Sequence, residues 1–225
     1  MKIYFYYILI IISMSEGISA QYTPGIYEGS VDGQDFNELS GKVSLKVFLS
    51  PTQIDSISVM EFDNDIYHKV YGPPAIDAKK SIPQRVIARQ SIDVDAVSGA
   101  TISSNSILLS IARAIEKGTK VNFPDGIFSG SAQGRKDSSH SGIITVSVEI
   151  KSSRIENIRI ESIDQVTDHK RWGYYVEKAI RVIPGSVVER QSVDVDAVSQ
   201  ATNTSNSILL AIAKALENAL KNGFK

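Results

Sequence analysis

A polar segment ending in threonine occurs twice in this chain, as Arg89-Gln90-Ser91-Ile92-Asp93-Val94-Asp95-Ala96-Val97-Ser98-Gly99-Ala100-Thr101 and again from Arg190 to Thr202. The copies differ at two positions, where Ile92 becomes Val193 and Gly99 becomes Gln200. Each segment gathers a carboxylate (Asp95, Asp196), a serine (Ser98, Ser199) and a threonine (Thr101, Thr202) just ahead of a run with helical spacing. A helix start presents unpaired N–H groups and a partial positive charge, which suit a phosphate. A threonine hydroxyl at that point is able to carry the phosphate as an ester. The plainer use of the same residues is capping, because Ser98, Thr101, Ser103 and Ser104 are favoured N-cap types and an Asp before a helix complements its dipole. Residue chemistry alone leaves both readings open.

The elements that must position these segments follow from an internal repeat. A shift of 101 residues superposes Gly25-Ile26 on Gly126-Ile127, Gly29-Ser30 on Gly130-Ser131, His68-Lys69 on His169-Lys170 and Ile82-Pro83 on Ile183-Pro184 without a gap. Between Arg89 and Glu116 about 21 of 28 positions are identical, a density that marks true duplication. Each copy opens on a Gly-x-x-x-Gly stretch that reads as a turn. Val43, Leu45, Val47 and Leu49 then alternate, as do Ile144, Val146, Val148 and Ile150, and period two predicts a half-buried strand. Second strands are expected over Ile54 to Phe62 and Ile155 to Ile163, completing an antiparallel hairpin. Ile107, Leu108, Ile111 and Ile115, repeated as Ile208, Leu209, Ile212 and Leu216, form a helical stripe that would cover it. A short helix is expected near Pro74 to Lys80 and Tyr174 to Arg181. The class is α+β: two tandem repeats, each a small, mainly antiparallel sheet packed against helices, with the motif at the N-terminus of the last helix. The expected domains are residues 21–119 and 120–225.

Composition narrows the chemistry. The chain has 225 residues, 24 Lys+Arg against 25 Asp+Glu, and 42% hydrophobic residues, an ordinary globular balance with no basic field for a nucleic acid. It has no cysteine and three histidines. Disulfides, thiolate zinc sites, iron–sulfur clusters and thiol nucleophiles are thereby removed, and a redox role would need an organic cofactor. No paired carboxylates or Ser-His-Asp arrangement suggests a complete catalytic set. Residues 1–20 place Lys2 before an apolar run from Ile3 to Ile12 and end on small and polar residues at Ala20, the layout of a cleaved secretory signal. The run is too short to span a bilayer, which takes ~20 residues. An extracytoplasmic mature protein is the expectation.

Asp95-Ala96-Val97-Ser98-Gly99-Ala100-Thr101 resembles the D-x-x-S-G-A-T signature of FMN-binding domains, found in flavoprotein subunits of bacterial Na⁺- or ferredoxin-linked NADH and quinone oxidoreductases and in exported flavoproteins. The opening Pro24-Gly25-Ile26-Tyr27-Glu28-Gly29 and the helix entry Asn105-Ser106-Ile107-Leu108 are similar to that family too, and the likeness recurs across both repeats. The resemblance implies FMN joined through a phosphoester to Thr101 by a dedicated flavin transferase. By position Thr202 is a second acceptor, with the departure Gln200 where the family has Gly. Gly99, Ala100 and Ala201 would frame the phosphate, Ser98 and Ser199 would bond it or cap the helix, and Asp95 and Asp196 would guide the transferase or its metal-assisted attack. His68 and His169 would lie near the flavin or in an exposed loop. Arg89 and Arg190 would pair with phosphate or with Asp93 and Asp194, and Tyr71 and Trp172 would stack on the ring or fill a core. The resemblance further implies an exported carrier with one or two covalent FMN groups, passing electrons from a membrane-bound donor to an extracytoplasmic acceptor. An electron-delivering subunit of an extracytoplasmic reductase and a non-redox secreted binding module are the alternatives.

Overall fold

A computed structural model describes residues 21–32, 41–63, 69–120, 122–134, 140–165 and 173–223. The expected signal, both repeat histidines His68 and His169, and Trp172 lie outside the described residues.

Each repeat folds as three strands followed by two helices. The first contains β1 (Gly25–Val31), β2 (Val43–Leu49), β3 (Ile54–Phe62), α1 (Gly72–Arg89) and α2 (Thr101–Gly118). The second contains β4 (Gly126–Gln133), β5 (Ile143–Lys151), β6 (Arg154–Ile163), α3 (Gly173–Arg190) and α4 (Thr202–Gly223). Both sheets are antiparallel meanders, with β1-β2-β3 in one and β4-β5-β6 in the other. Even the register breaks recur at the repeat shift: one follows Ser44 and Thr145, the other Phe48 and Glu149.

The alternating strand residues behave as their pattern requires. Val43, Leu45, Val47 and Leu49 are buried under α2, and Ile144, Val146, Val148 and Ile150 are buried under α4. Full burial of such a side chain contributes about 1.5–3 kcal/mol. The opening glycine stretch, expected as a turn, is instead the edge strand β1, so each sheet has three strands rather than two. Gly29 serves close approach here: a Cβ on it would stand 1.8 Å from the Ser110 carbonyl oxygen on α2. Gly130 meets the Ala211 carbonyl of α4 the same way, at 2.1 Å. The middle helices also exceed expectation. α1 and α3 run 18 residues each, carrying Pro83 and Pro184 inside them while Ile82 and Ile183 remain fully buried.

Helix α2 is buried on more sides than one stripe accounts for, since Leu109, Ser110 and Ala112 are enclosed together with Ile107, Leu108 and Ile111. It packs on its own sheet, on α1 and on α4 of the other repeat. A single core of buried side chains therefore crosses from one repeat to the other. The two last helices lie side by side and parallel. Near their starts, the Asn105 amide nitrogen is 3.3 Å from the Ser207 hydroxyl. Further along, Ala112 and Ile115 share a cavity of about 350 Å³ with Ala213 and Leu216. Thr101 and Thr202, the first residues of these helices, consequently emerge at the same end of the molecule.

Candidate functional site

The motif forms a tight turn that ends in a helix start. The Ala100 N–H donates to the Val97 carbonyl at 2.9 Å, closing a turn whose inner residues are Ser98 and Gly99. Gly99 has φ 78°, the left-handed value that glycine takes without penalty. Its counterpart Gln200 is held at φ 65°, where a side chain costs roughly 1–2 kcal/mol. The turn is braced from inside the helix: the Ser104 hydroxyl accepts the Val97 N–H at 3.0 Å, and Ser205 accepts from Val198 at the same distance.

Of the cap candidates, none closes α2. Its N-cap is Ala100, which has no hydroxyl or carboxylate, and no side chain caps the helix. Ala100 and Ala201 are buried, whereas Ser98, Gly99, Ser199 and Gln200 are exposed and Thr101 and Thr202 are half-buried at the helix entrance. Asp95 and Asp196 are exposed on the approach. The Asp95 backbone carbonyl accepts from Arg85 at 2.8 Å, which fixes the strand-like run into the turn without using its carboxylate. The structure thus sets Ser98, Gly99 and Thr101 together at the turn and helix start with Ala100 buried between them, and leaves Asp95 exposed on the approach; their counterparts are arranged alike. An uncapped helix start beside exposed hydroxyls, with a positive-φ turn before it, is a receptive place for a phosphate.

The start of α1 supplies an apolar neighbour to the turn. A Cβ at Gly99 would lie 3.3 Å from Pro74, so the start of α1 stands against the turn. Tyr71, the N-cap of α1, is 63% exposed, which places it outside the core. In the second repeat Tyr174 and Tyr175 meet edge to face, with centroids 5.3 Å apart, and Tyr174 is largely exposed.

Much of the near-identity between the two segments has structural causes that residue types did not disclose. Gln90 ends α1 in a left-handed conformation, and its amide exchanges bonds with the Ile54 N–H and carbonyl at 2.7 and 3.0 Å. Gln191 does the same to Ile155 at 2.8 and 2.9 Å. Glu116 accepts from the Ser192 hydroxyl and the Val193 N–H, and Glu217 accepts from Ser91 and Ile92. Asp93 pairs with Lys214 at 2.9 Å, and Asp194 pairs with Arg113 and Lys117. These pairs correct the expected links from Arg89 and Arg190, because the aspartates turn to the other repeat. Burial holds the Glu116 carboxyl above its ordinary value, opposed by its bonds to Ser192 and Val193. Burial likewise draws the Arg113 guanidinium below its ordinary value, opposed by Asp194 and Glu116. The retention of both glutamates at the repeat shift was the signal available for finding them.

A family model for the FMN-binding domain matches residues 18–116 and 140–217. The chain belongs to the FMN-binding domain family. The two matched regions contain Thr101 and Thr202 with their turns. An uncharacterized protein of Treponema pallidum (strain Nichols) is 36% identical over 93 residues, which cover 41% of this chain and 23% of that protein. The chain thus matches about a quarter of the length of that curated relative. A crystal structure of a protein from Clostridium perfringens covers 46% of this chain and 93% of its own, at 19% identity and a TM-score of 0.35. No helix among the described residues is long and apolar enough to cross a membrane.

Proposed function

We propose that this chain is an exported electron-transfer flavoprotein carrying FMN on the hydroxyls of Thr101 and Thr202. The observation that carries the reading is that Thr101 and Thr202 of an FMN-binding family member each open a helix behind the same exposed, positive-φ turn, and that the N-cap residue of α2, Ala100, makes no side-chain bond to the helix. The residues fit the group. Thr101 Oγ1 would form the ester bond to the flavin-side phosphorus of a flavin dinucleotide donor as the donor's diphosphate bond breaks, with the nucleoside monophosphate leaving and the hydroxyl proton passing to a base on the transferase. The helix N-terminus would face the phosphate charge, Ser98 and Ser199 would be the donors to its oxygens, and the positive φ at positions 99 and 200 would keep the backbone clear of it. Asp95 and Asp196, exposed on the approach to the turn, would help to hold a transferase-bound divalent cation. FMN supplies the one- and two-electron chemistry when bound.

Electrons pass from a membrane-bound donor through the chain to an extracytoplasmic acceptor, and an ester-linked cofactor is not lost where it cannot be replaced. The parallel packing of α2 and α4 supports a relay within one molecule. Helices in contact lie about 8–10 Å apart, so groups at their starts are within roughly 20 Å of each other. The test is visible absorbance of the chain made with a flavin transferase. The yellow colour is expected to stay with the denatured polypeptide and, in the native protein, to bleach with dithionite. Colour that washes away on denaturation would overturn the ester linkage.

A further inference from the structure

We infer that each repeat positions the FMN-acceptor loop of the other: Glu116 sets the loop that ends at Thr202, and Glu217 sets the loop that ends at Thr101. This rests on the reading of the two threonines as acceptors.

The geometry is reciprocal. Near the end of α2, Glu116 places one oxygen 2.8 Å from the Ser192 hydroxyl and the other 3.1 Å from the Val193 N–H. Near the same turn of α4, Glu217 places its oxygens 2.8 Å from the Ser91 hydroxyl and 2.9 Å from the Ile92 N–H. Within each loop the serine then accepts the N–H two residues on, from Asp93 at 3.0 Å and from Asp194 at 2.9 Å. Side chain, serine and backbone thus form one bonded unit at the base of each loop. Basic residues of the opposite helix hold the next stretch. Arg113 donates to the Val193 carbonyl at 3.2 Å and the Val195 carbonyl at 2.7 Å, and Lys214 pairs with Asp93 at 2.9 Å. The other repeat thus fixes the base of each loop, and the loop's own helix braces its tip through Ser104 and Ser205, so the turns at Ser98 and Ser199 are held from both sides.

The grip is also unequal. Arg113 binds with a planar fork and is 8% exposed, whereas its counterpart Lys214 is a single point charge. The stronger hold falls on the loop that contains Gln200, whose left-handed backbone is strained. The second loop therefore depends more on the first repeat than the first loop does on the second.

The experiment uses the full chain co-produced with a flavin transferase, with FMN incorporation followed at each threonine by peptide mass spectrometry. Glu116→Ala is expected to slow incorporation at Thr202 about tenfold, the equivalent of one charge-assisted bond, and to leave Thr101 near wild type. Glu217→Ala is expected to do the reverse with a smaller loss. Glu116→Gln and Glu217→Gln, which keep an oxygen for the loop N–H, restore most of the rate. Amide exchange supplies a readout independent of flavin: Glu116→Ala speeds exchange at 193–195 and leaves 92–94 unchanged. If an alanine variant fails to fold, Glu→Asp at the same position withdraws the carboxylate by one methylene and gives the same crossed pattern. Equal losses at both threonines, loss confined to the mutated repeat, or no change would overturn the inference. Wild type with neither threonine modified would instead overturn the acceptor reading, and the exchange pattern would still decide the crossed positioning.

Discussion

Gln200 marks the clearest chemical difference between the two sites. It takes the φ 65° that Gly99 takes at 78°, so the second turn keeps its shape at a cost the first turn does not bear. Replacing Gln200 with Gly removes the left-handed strain and adds some freedom to the unfolded chain, for a net gain of roughly 0.5–1 kcal/mol. Guanidinium denaturation of Gln200→Gly should show that gain, and FMN incorporation at Thr202 should approach the rate at Thr101. An unchanged or lower midpoint would mean that the Gln200 side chain makes a contact that outweighs its backbone.

At the scale of elements, the decisive fit is the crossing of a strand by a helix. Gly29 and Gly130 let the backbones of α2 and α4 touch β1 and β4, and no movement of a flexible side chain relieves a Cβ placed there. Gly29→Ala is expected to cost about 3 kcal/mol or more in denaturant unfolding. Gly185→Ala on α3 has nothing within 4 Å of the new methyl and is expected to stabilise by about 0.5–1 kcal/mol. The sequence pattern explains why β1 is hard to read as a strand. Of its inward positions Gly25, Tyr27, Gly29 and Val31, two are glycines, while Ile26 points outward and is exposed, so the apolar alternation that marks β2 and β5 is diluted. The strands β2 and β5 and the helices α2 and α4 were legible because each carries an unbroken apolar periodicity, even where, as in α2, a second face is buried too. The length of α1 was not, since Pro83 within it reads as a break although Val86 and Ile87 continue its packing. The motif's place at a helix start was legible from its spacing. The brace from Ser104 to Val97 was not, because a serine one turn inside a helix resembles an ordinary cap candidate.

For the whole molecule, duplication hid the most important packing. Identical residues in both copies cannot disclose whether Ala112 and Glu116 cover their own repeat or its sister, and here they face the other repeat. One continuous core and reciprocal loop anchors predict that the chain unfolds in a single cooperative transition, with near-ultraviolet and far-ultraviolet circular dichroism giving the same midpoint. Two separate transitions would mean that the repeats stand independently. The same arrangement brings Thr101 and Thr202, the proposed acceptors, to one end, which is the basis for reading the protein as a two-flavin carrier. The most direct test is the intact mass of the chain co-produced with a flavin transferase, beside Thr101→Ala and Thr202→Ala. The expected result is a gain of two FMN groups, each less one water, with one lost in each variant. A mass without FMN, under conditions that modify a control substrate, would contradict the covalent carrier and leave the turns as structural helix entrances.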